Sequence, residues 1–261
     1  MRWLPIVVTI AAVAASAAVA ADAPAPVAIP GPPFRPEVTS FVRPSPPQLE
    51  VVSDVGHPVV TTTRSAVVSG GPAEIAGEGV LDAFRQGPLW FVTYGRDGAS
   101  ARYLLSFREG RPGIRYVLDL NALARTTAAT PSDSELVYAQ VRWAREADGV
   151  LYVQNAHLTY ASSSRMRNGA ITAIDLRTKR VLWRSPSLVA NAGTFVLAPG
   201  NRIVTGYGFT AEPDFVYVLD RGSGAVLDRL PVRDAPERIT RRGDEVRVET
   251  YSRSLVLRLR S

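Results

Sequence analysis

The sequence predicts an all-β fold built from repeated units of short strands. One observation is a succession of strand-length apolar runs, rich in β-branched and aromatic residues and separated by turn residues. Another is a strand-and-turn pattern that recurs along the chain. Stretches with helical character are few, which also favours an all-β architecture.

The N-terminal segment has the features of a bacterial export signal. Arg2 is followed by an uncharged apolar run over 3–20, and the small residues Ala18 and Ala20 fit a cleavage site. We therefore expect a signal peptide over 1–21, a periplasmic or secreted protein, and no integral membrane span after cleavage. Retention of the segment as an anchor stays open, because about eighteen apolar residues can just span a bilayer.

The next segment is rich in proline, with nine prolines between Ala21 and Leu49. Proline at this density disfavours both helices and central strands, since it fixes φ and lacks a backbone donor. We predict an extended linker over 22–50, followed by one β-rich domain over 51–261.

Apolar runs of strand length continue to the end of the chain, and two segments also have some helical character. Residues 120–127 have the composition for a turn or two of helix, whereas 137–143 alternate in part as a strand does, after an insertion loop around Pro131. The predicted strands cover 89–94, 103–107, 150–153, 171–174, 202–204, 215–219, 225–227, 246–250 and 255–259.

The recurring pattern begins at four glycines, Gly87, Gly149, Gly200 and Gly243, and the first copy is traced as far as Asp119. A period of about 40–50 residues with several strands per unit is typical of a β-propeller. We predict four to five four-stranded blades, in a small closed ring or in an incomplete ring that pairs with a partner or another copy. The last strand is expected to pair with an N-terminal strand within 50–69.

One copy of the repeat resembles a known family. Residues 173–183 are similar to the PQQ-like β-propeller repeat, A-x-D-x-x-T-G-x-x-x-W, with Lys179 in place of its glycine. The following copy has Ser223 in place of threonine and Asp228 in place of tryptophan. The motif residues are expected to tighten turns and hold blades together; they are Asp175, Thr178, Trp183, Asp220, Ser223 and Gly224.

The resemblance raises the possibility of a quinone cofactor, but the sequence lacks the usual accompanying features. It contains no cysteine, and no acidic cluster has the spacing of a calcium site. His57 and His157 are isolated from ligand or triad patterns. We predict no catalytic, cofactor-binding or metal-binding residue, and no cofactor.

The charge pattern bears on the class of partner. The net charge is +6, Lys179 is the only lysine, and acidic residues are interspersed with the arginines, including those between Arg229 and Arg260. This mixture predicts a solvated surface and no nucleic-acid binding. Most aromatics within the apolar runs are expected in the core rather than around a pore; they include Trp90, Phe91, Tyr94, Trp143 and Tyr152.

The functional prediction is a non-catalytic scaffold of the cell envelope that binds a protein or polymer partner. The alternative is an enzyme, a quinone-dependent dehydrogenase or a hydrolase, whose site is formed by loops at the tops of the blades. A third hypothesis is a structural protein without a small ligand. The loops over 120–135 and 155–169 are the first places to look for function, since long loops in a tight repeat are commonly functional or disordered.

Overall fold

A computed structural model describes residues 23–33, 35–56, 71–96, 101–124, 140–157, 167–209 and 212–260. The predicted signal peptide and His57 lie outside these residues, as do most of the two long loops. Among the described residues no helix is long and apolar enough to cross a membrane.

The described chain is almost entirely β-structure, which confirms the predicted fold class. It forms eighteen strands and one helical turn, α1 (Asn121–Ala124). The strands are β1 (Val27–Ala28), β2 (Leu49–Gly56), β3 (Glu74–Ile75), β4 (Glu78–Gln86), β5 (Leu89–Gly95), β6 (Tyr103–Arg108), β7 (Ile114–Asp119), β8 (Gln140–Ala147), β9 (Val150–Ala156), β10 (Ala170–Asp175), β11 (Val181–Arg184), β12 (Val196–Ala198), β13 (Arg202–Phe209), β14 (Glu212–Asp220), β15 (Val226–Pro231), β16 (Pro236–Arg242), β17 (Glu245–Thr250) and β18 (Arg253–Leu259).

The strands form four antiparallel blades in chain order, the architecture of a β-propeller. The first blade is β4-β5-β6-β7, with β3 added beside β4 and β1 added in parallel beside β7. The second blade is β8-β9-β10-β11, and the third is β12-β13-β14-β15. The fourth blade is β16-β17-β18 with β2 as its last strand.

The four repeat glycines occupy the same place in every blade. Gly87, Gly149, Gly200 and Gly243 lie in the hairpin between the first and second strands, all with φ between 55° and 75°. Each sequence copy therefore begins at the second strand of a blade. The predicted end of the first copy is wrong, because Asp119 ends the fourth strand of its blade, whereas the copies that begin at Gly149 and Gly200 have an Asp at the end of the third strand.

The fourth blade is completed by the N-terminal part of the chain. Strand β18 pairs antiparallel with β2, with Leu257 opposite Val51 and Leu259 opposite Leu49. This confirms the expected pairing of the last strand with an N-terminal strand. The predicted domain boundary at residue 50 falls inside β2.

Packing between blades is apolar and sequential. One core cluster joins the first and second blades, another the second and third, and another the third and fourth. Each includes side chains that are fully buried, such as Leu104, Ile171 and Val246. A remaining cluster, around Val92 and Leu105, contains described residues of the first blade and of β3 beside it.

The described part of the proline-rich segment that was predicted as a linker lies along the outer strands of the blades, and we call its residues 27–33 and 35–48 the belt. Its β1 runs beside β7 of the first blade, and Arg35 forms a bridge with Pro186 after the second blade. Arg229 of the third blade donates to the Val38 carbonyl at 3.1 Å. The belt thus reaches the fourth blade with attachments to the three before it.

Candidate binding cavity at the centre of the propeller

The first strands of the four blades surround one cavity of about 570 Å³, which we call the central cavity. Each blade contributes to its wall, the third through β12 and the two residues before it. The wall consists of residues 83–85, Trp90, Trp143, Arg145, residues 194–197 and residues 238–241.

The charged residues of this wall are all basic. Arg85 comes from the first blade, Arg145 from the second, and Arg238 and Arg241 from the fourth. No aspartate or glutamate belongs to the described wall. The cavity is therefore a concave surface at which positive charge converges from three blades.

Two of the four arginines are neutralised by acids of their own blades. Arg85 forms an ion pair with Glu109 at 2.6 Å and also donates from Nε to the Gly87 carbonyl. Arg238 contacts Glu249 through both Nε, at 2.6 Å, and an Nη atom, at 3.1 Å.

The other two arginines form no ion pair within the described part of the chain. Arg241 donates from Nη1 to the Gly243 carbonyl at 3.0 Å. The buried Nε of Arg145 has no hydrogen-bond acceptor among the described residues. Burial, with a smaller contribution from the charge of Arg241, lowers the pKa of Arg145. The positive charges of Arg145 and Arg241 therefore repel each other, and neither is paired with an acid among the described residues.

Two tryptophans complete the polar and aromatic part of the wall. Trp143 stacks on Phe84 with ring centroids 4.8 Å apart, and its buried indole N–H has no acceptor among the described residues. Trp90 stacks on Phe107, and the Arg85 guanidinium lies over its ring at 5.9 Å. Both indole rings are already in contact with protein groups, so each has at least one face occupied before a ligand binds.

The strands around the cavity are linked by reciprocal hydrogen bonds. Gln86 of the first blade donates to the Glu146 carbonyl and accepts from the Glu146 N–H in the second, at 3.0 and 2.8 Å. The Thr194 hydroxyl likewise donates to the Ile239 carbonyl and accepts from its N–H, at 2.8 and 2.7 Å. These bonds hold the cavity wall in a fixed geometry before any ligand binds.

The repeat-motif residues lie away from this cavity, in the turns between third and fourth strands. The Thr178 N–H donates to Asp175 at 2.7 Å, and the Ser223 hydroxyl donates to Asp220 at 2.7 Å. In both turns the backbone N–H of the fifth residue, Lys179 or Gly224, donates to the Asp carbonyl at 2.8 Å. Those two residues have φ of 58° and 69°.

Trp183 packs between the second and third blades. Its indole N–H donates to the Arg221 carbonyl at 3.1 Å, and its ring lies 5.9 Å from that of Tyr152. A Cβ atom at Gly224 would lie 2.5 Å from the indole, so the close approach requires glycine there.

The aromatics and the histidine take different places. Trp90 and Trp143 line the central cavity, whereas Phe91, Tyr94 and Tyr152 are buried in the core. His157 is buried, and its backbone exchanges two hydrogen bonds with the Asn168 side chain. Of the two long loops, only α1 and the flanks at 155–157 and 167–169 are described.

The wall of the cavity was missed by sequence reasoning because its strands are not apolar runs. Strands β4, β12 and β16 had not been predicted, and the basic stretch after Arg229 was discounted for its interspersed acids. A signal was nevertheless present: Arg85 and Arg241 lie two residues before a repeat glycine, and Arg145 lies four before one.

No family model matches this sequence, and no curated protein does. Among solved structures, the chain is similar to the WD40 β-propeller domain of Doa1, with 10% identity and a TM-score of 0.44 over 71% of this chain and 52% of that one. It is also similar to BamB from Moraxella catarrhalis, with 12% identity and a TM-score of 0.38 over 71% and 60%. A europium-containing methanol dehydrogenase gives 12% identity and a TM-score of 0.37 over 71% and 27%.

Proposed function

We propose that this chain is an exported, non-catalytic binding module of the bacterial envelope, a PQQ-like β-propeller that takes part of a protein or polymer partner into its central cavity. The observation that carries the proposal is the convergence of arginines and tryptophans from separate blades on one preformed concave surface. Such residues anchor partners when they lie in a well-packed pocket.

Further features support the exported location and the repeat family. The apolar run over 3–20 and the small residues that follow it have the composition of an export signal. The turns that begin at Asp175 and Asp220 share the same backbone hydrogen bonds, which supports a common repeat.

Site-specific photo-crosslinking tests the proposal. A benzoylphenylalanine is placed at Thr240, which is exposed and lines the cavity, and in a matched control at Thr178, which is exposed on an outer turn. Each purified variant is irradiated with envelope extract from cells that produce the protein natively. We expect a discrete adduct at position 240 and none at position 178. Equal adducts at both positions, or none at either, would overturn the proposal.

A further inference from the structure

The two unmatched donors on β8 define the chemistry that the central cavity selects. Trp143 and Arg145 are two residues apart in a regular part of the strand, so their side chains leave the same face. Each has a buried N–H group without an acceptor among the described residues. A buried unpaired donor costs about 1–3 kcal/mol, so an acceptor that a ligand brings to this face of the strand would lower the energy of the site.

The charge balance of the wall sets the charge of that ligand. Since Glu109 and Glu249 already neutralise Arg85 and Arg238, the uncompensated charges are those of Arg145 and Arg241. Arg145 and Arg241 line the same cavity, and the charge of Arg241 contributes to lowering the pKa of Arg145. A ligand that carries two negative charges would relieve this repulsion.

We propose that the central cavity binds a segment rich in carboxylates, as an acidic peptide presents, with one carboxylate accepting from Trp143 and Arg145 and a second pairing with Arg241. This rests on the proposed function and names the ligand chemistry of the same site. A carboxylate has two oxygens and several acceptor sites, so one such group can accept from more than one N–H donor. A cavity of about 570 Å³ accommodates a short segment rather than a folded domain.

The aromatic groups favour this ligand over a nucleic acid. Single-stranded nucleic acids bind largely by stacking bases on exposed aromatic faces. Here Trp143 is stacked on Phe84, and Trp90 has Phe107 and the Arg85 guanidinium against its ring. The wall thus presents N–H donors to the ligand more than free aromatic faces.

Calorimetric titration of the purified full-length chain tests the inference. The probe is tetraglutamate with acetylated and amidated ends, and the matched control ligand is tetraglutamine with the same ends. We expect the tetraglutamate to bind and the tetraglutamine not to bind, with affinity falling as salt rises because the contacts are ionic.

Variants locate the binding in the cavity. Arg145→Gln should weaken binding of the tetraglutamate about tenfold to a hundredfold, the range expected for a hydrogen bond to a charged group. Trp143→Phe keeps the ring stack, removes the N–H, and should weaken binding about threefold to tenfold. The control is Arg247→Gln, which removes the same charge from an exposed residue outside the cavity and should change binding less than twofold.

A stability measurement separates this role from a structural one. Arg145→Gln breaks no described hydrogen bond and removes a partly buried charge, so its melting temperature should be unchanged or higher. Equal weakening of tetraglutamate binding by Arg145→Gln and Arg247→Gln would overturn the inference, because binding would then depend on the overall positive charge and not on the cavity. Tighter binding of inorganic pyrophosphate than of the tetraglutamate would overturn the choice of carboxylate.

The inference and the proposed function fail in different ways. Suppose that the tetraglutamate does not bind, but the adduct at position 240 forms to the same extent with and without the Arg145→Gln substitution. The inference is then wrong and the proposed binding module stands. If the tetraglutamate does not bind and the adduct is also absent, both are wrong.

Discussion

Trp183 and Asp228 occupy the same position in successive copies of the repeat, eight residues after Asp175 and Asp220. Trp183 joins its blade to the next by aromatic packing, whereas Asp228 does so by hydrogen bonds and an ion pair. Trp183 lies in the last strand of the second blade. Its half-buried ring packs against the turn of the third blade, where Gly224 leaves room for it. Asp228 lies in the last strand of the third blade with its side chain fully buried, and it accepts hydrogen bonds from the N-terminal part of the chain.

The difference follows from how the fourth blade is assembled. In the third blade, the third and fourth strands are joined by a tight turn, and Trp183 of the preceding blade packs on it. In the fourth blade, those strands are β18 and β2, from opposite ends of the chain, so no such turn exists. Asp228 instead accepts from Arg43 at 2.9 Å and from the N–H groups of Gln48 and Leu49 at 2.8 and 3.1 Å.

The comparison shows that Asp228, where the chain departs from the repeat motif, is the residue at which the N-terminal part of the chain is attached to complete the fourth blade. We call it the closure site. The carboxylate fixes the point at which the belt ends and β2 begins, and it neutralises a belt arginine at the same time. An aromatic at this position would leave two backbone N–H groups and the Arg43 Nε without their acceptor.

The largest expected effect is the loss of this anchor. Asp228→Asn removes the charge that balances Arg43 and directs an amide N–H₂ at a donor, so the free energy of unfolding should fall by about 3–5 kcal/mol. For a domain of this size, that corresponds to a melting temperature lower by about 6–20 °C. Urea unfolding followed by circular dichroism measures the change.

A matched control separates burial from the mere loss of a carboxylate. Asp148 also pairs with an arginine, Arg221, but its side chain is 80% exposed. Asp148→Asn should therefore cost less than about 1 kcal/mol. Equal losses in the two variants would contradict the role of Asp228 as the closure site.

The apolar counterpart should be weaker. Trp183→Ala removes a half-buried indole between the second and third blades, and we expect a loss of about 2–3 kcal/mol, below the range for a fully buried aromatic. Its neighbour Leu182 is 53% exposed, and Leu182→Ala should change stability by less than about 0.5 kcal/mol. A larger loss for Trp183→Ala than for Asp228→Asn would reverse the order of the two contacts.

The sequence predicted those parts of the propeller that are buried on both faces. Strand Ala170–Asp175 is apolar over most of its length because it packs against both neighbouring blades, with Ile174 in one core cluster and Ile171 in the other. The first strands turn one face to the cavity and carry arginines there, so their hydrophobic pattern is broken. Strand β12 has only three residues, too few to show a period.

The closure and the cavity depend on contacts that are distant in sequence. Asp228 was recognised as a departure from the repeat, but its partners lie in a segment whose prolines predict a linker. The cavity arginines come from three blades, and nothing local distinguishes Arg145, which lacks a described acceptor, from Arg238, which has Glu249. Only the topology brings these groups together.

The smallest expected effect concerns the two motif turns and differs in sign between them. Lys179 has φ of 58°, a backbone conformation that costs a residue with a side chain about 1–2 kcal/mol. Two contacts of its ammonium group offset part of this cost: a hydrogen bond to the Leu176 carbonyl, and a position 5.2 Å from the centre of the Tyr116 ring. Lys179→Gly should therefore stabilise the fold by about 0.5–1 kcal/mol. Gly224→Ala, at the equivalent position, should destabilise it by about 1–2 kcal/mol, because its φ is 69° and the new methyl group meets Trp183. Thermal unfolding of both variants measures the two shifts. A loss of stability in Lys179→Gly would mean that the lysine contacts outweigh its backbone strain, and the two turns would then be maintained by different forces despite their shared hydrogen bonds.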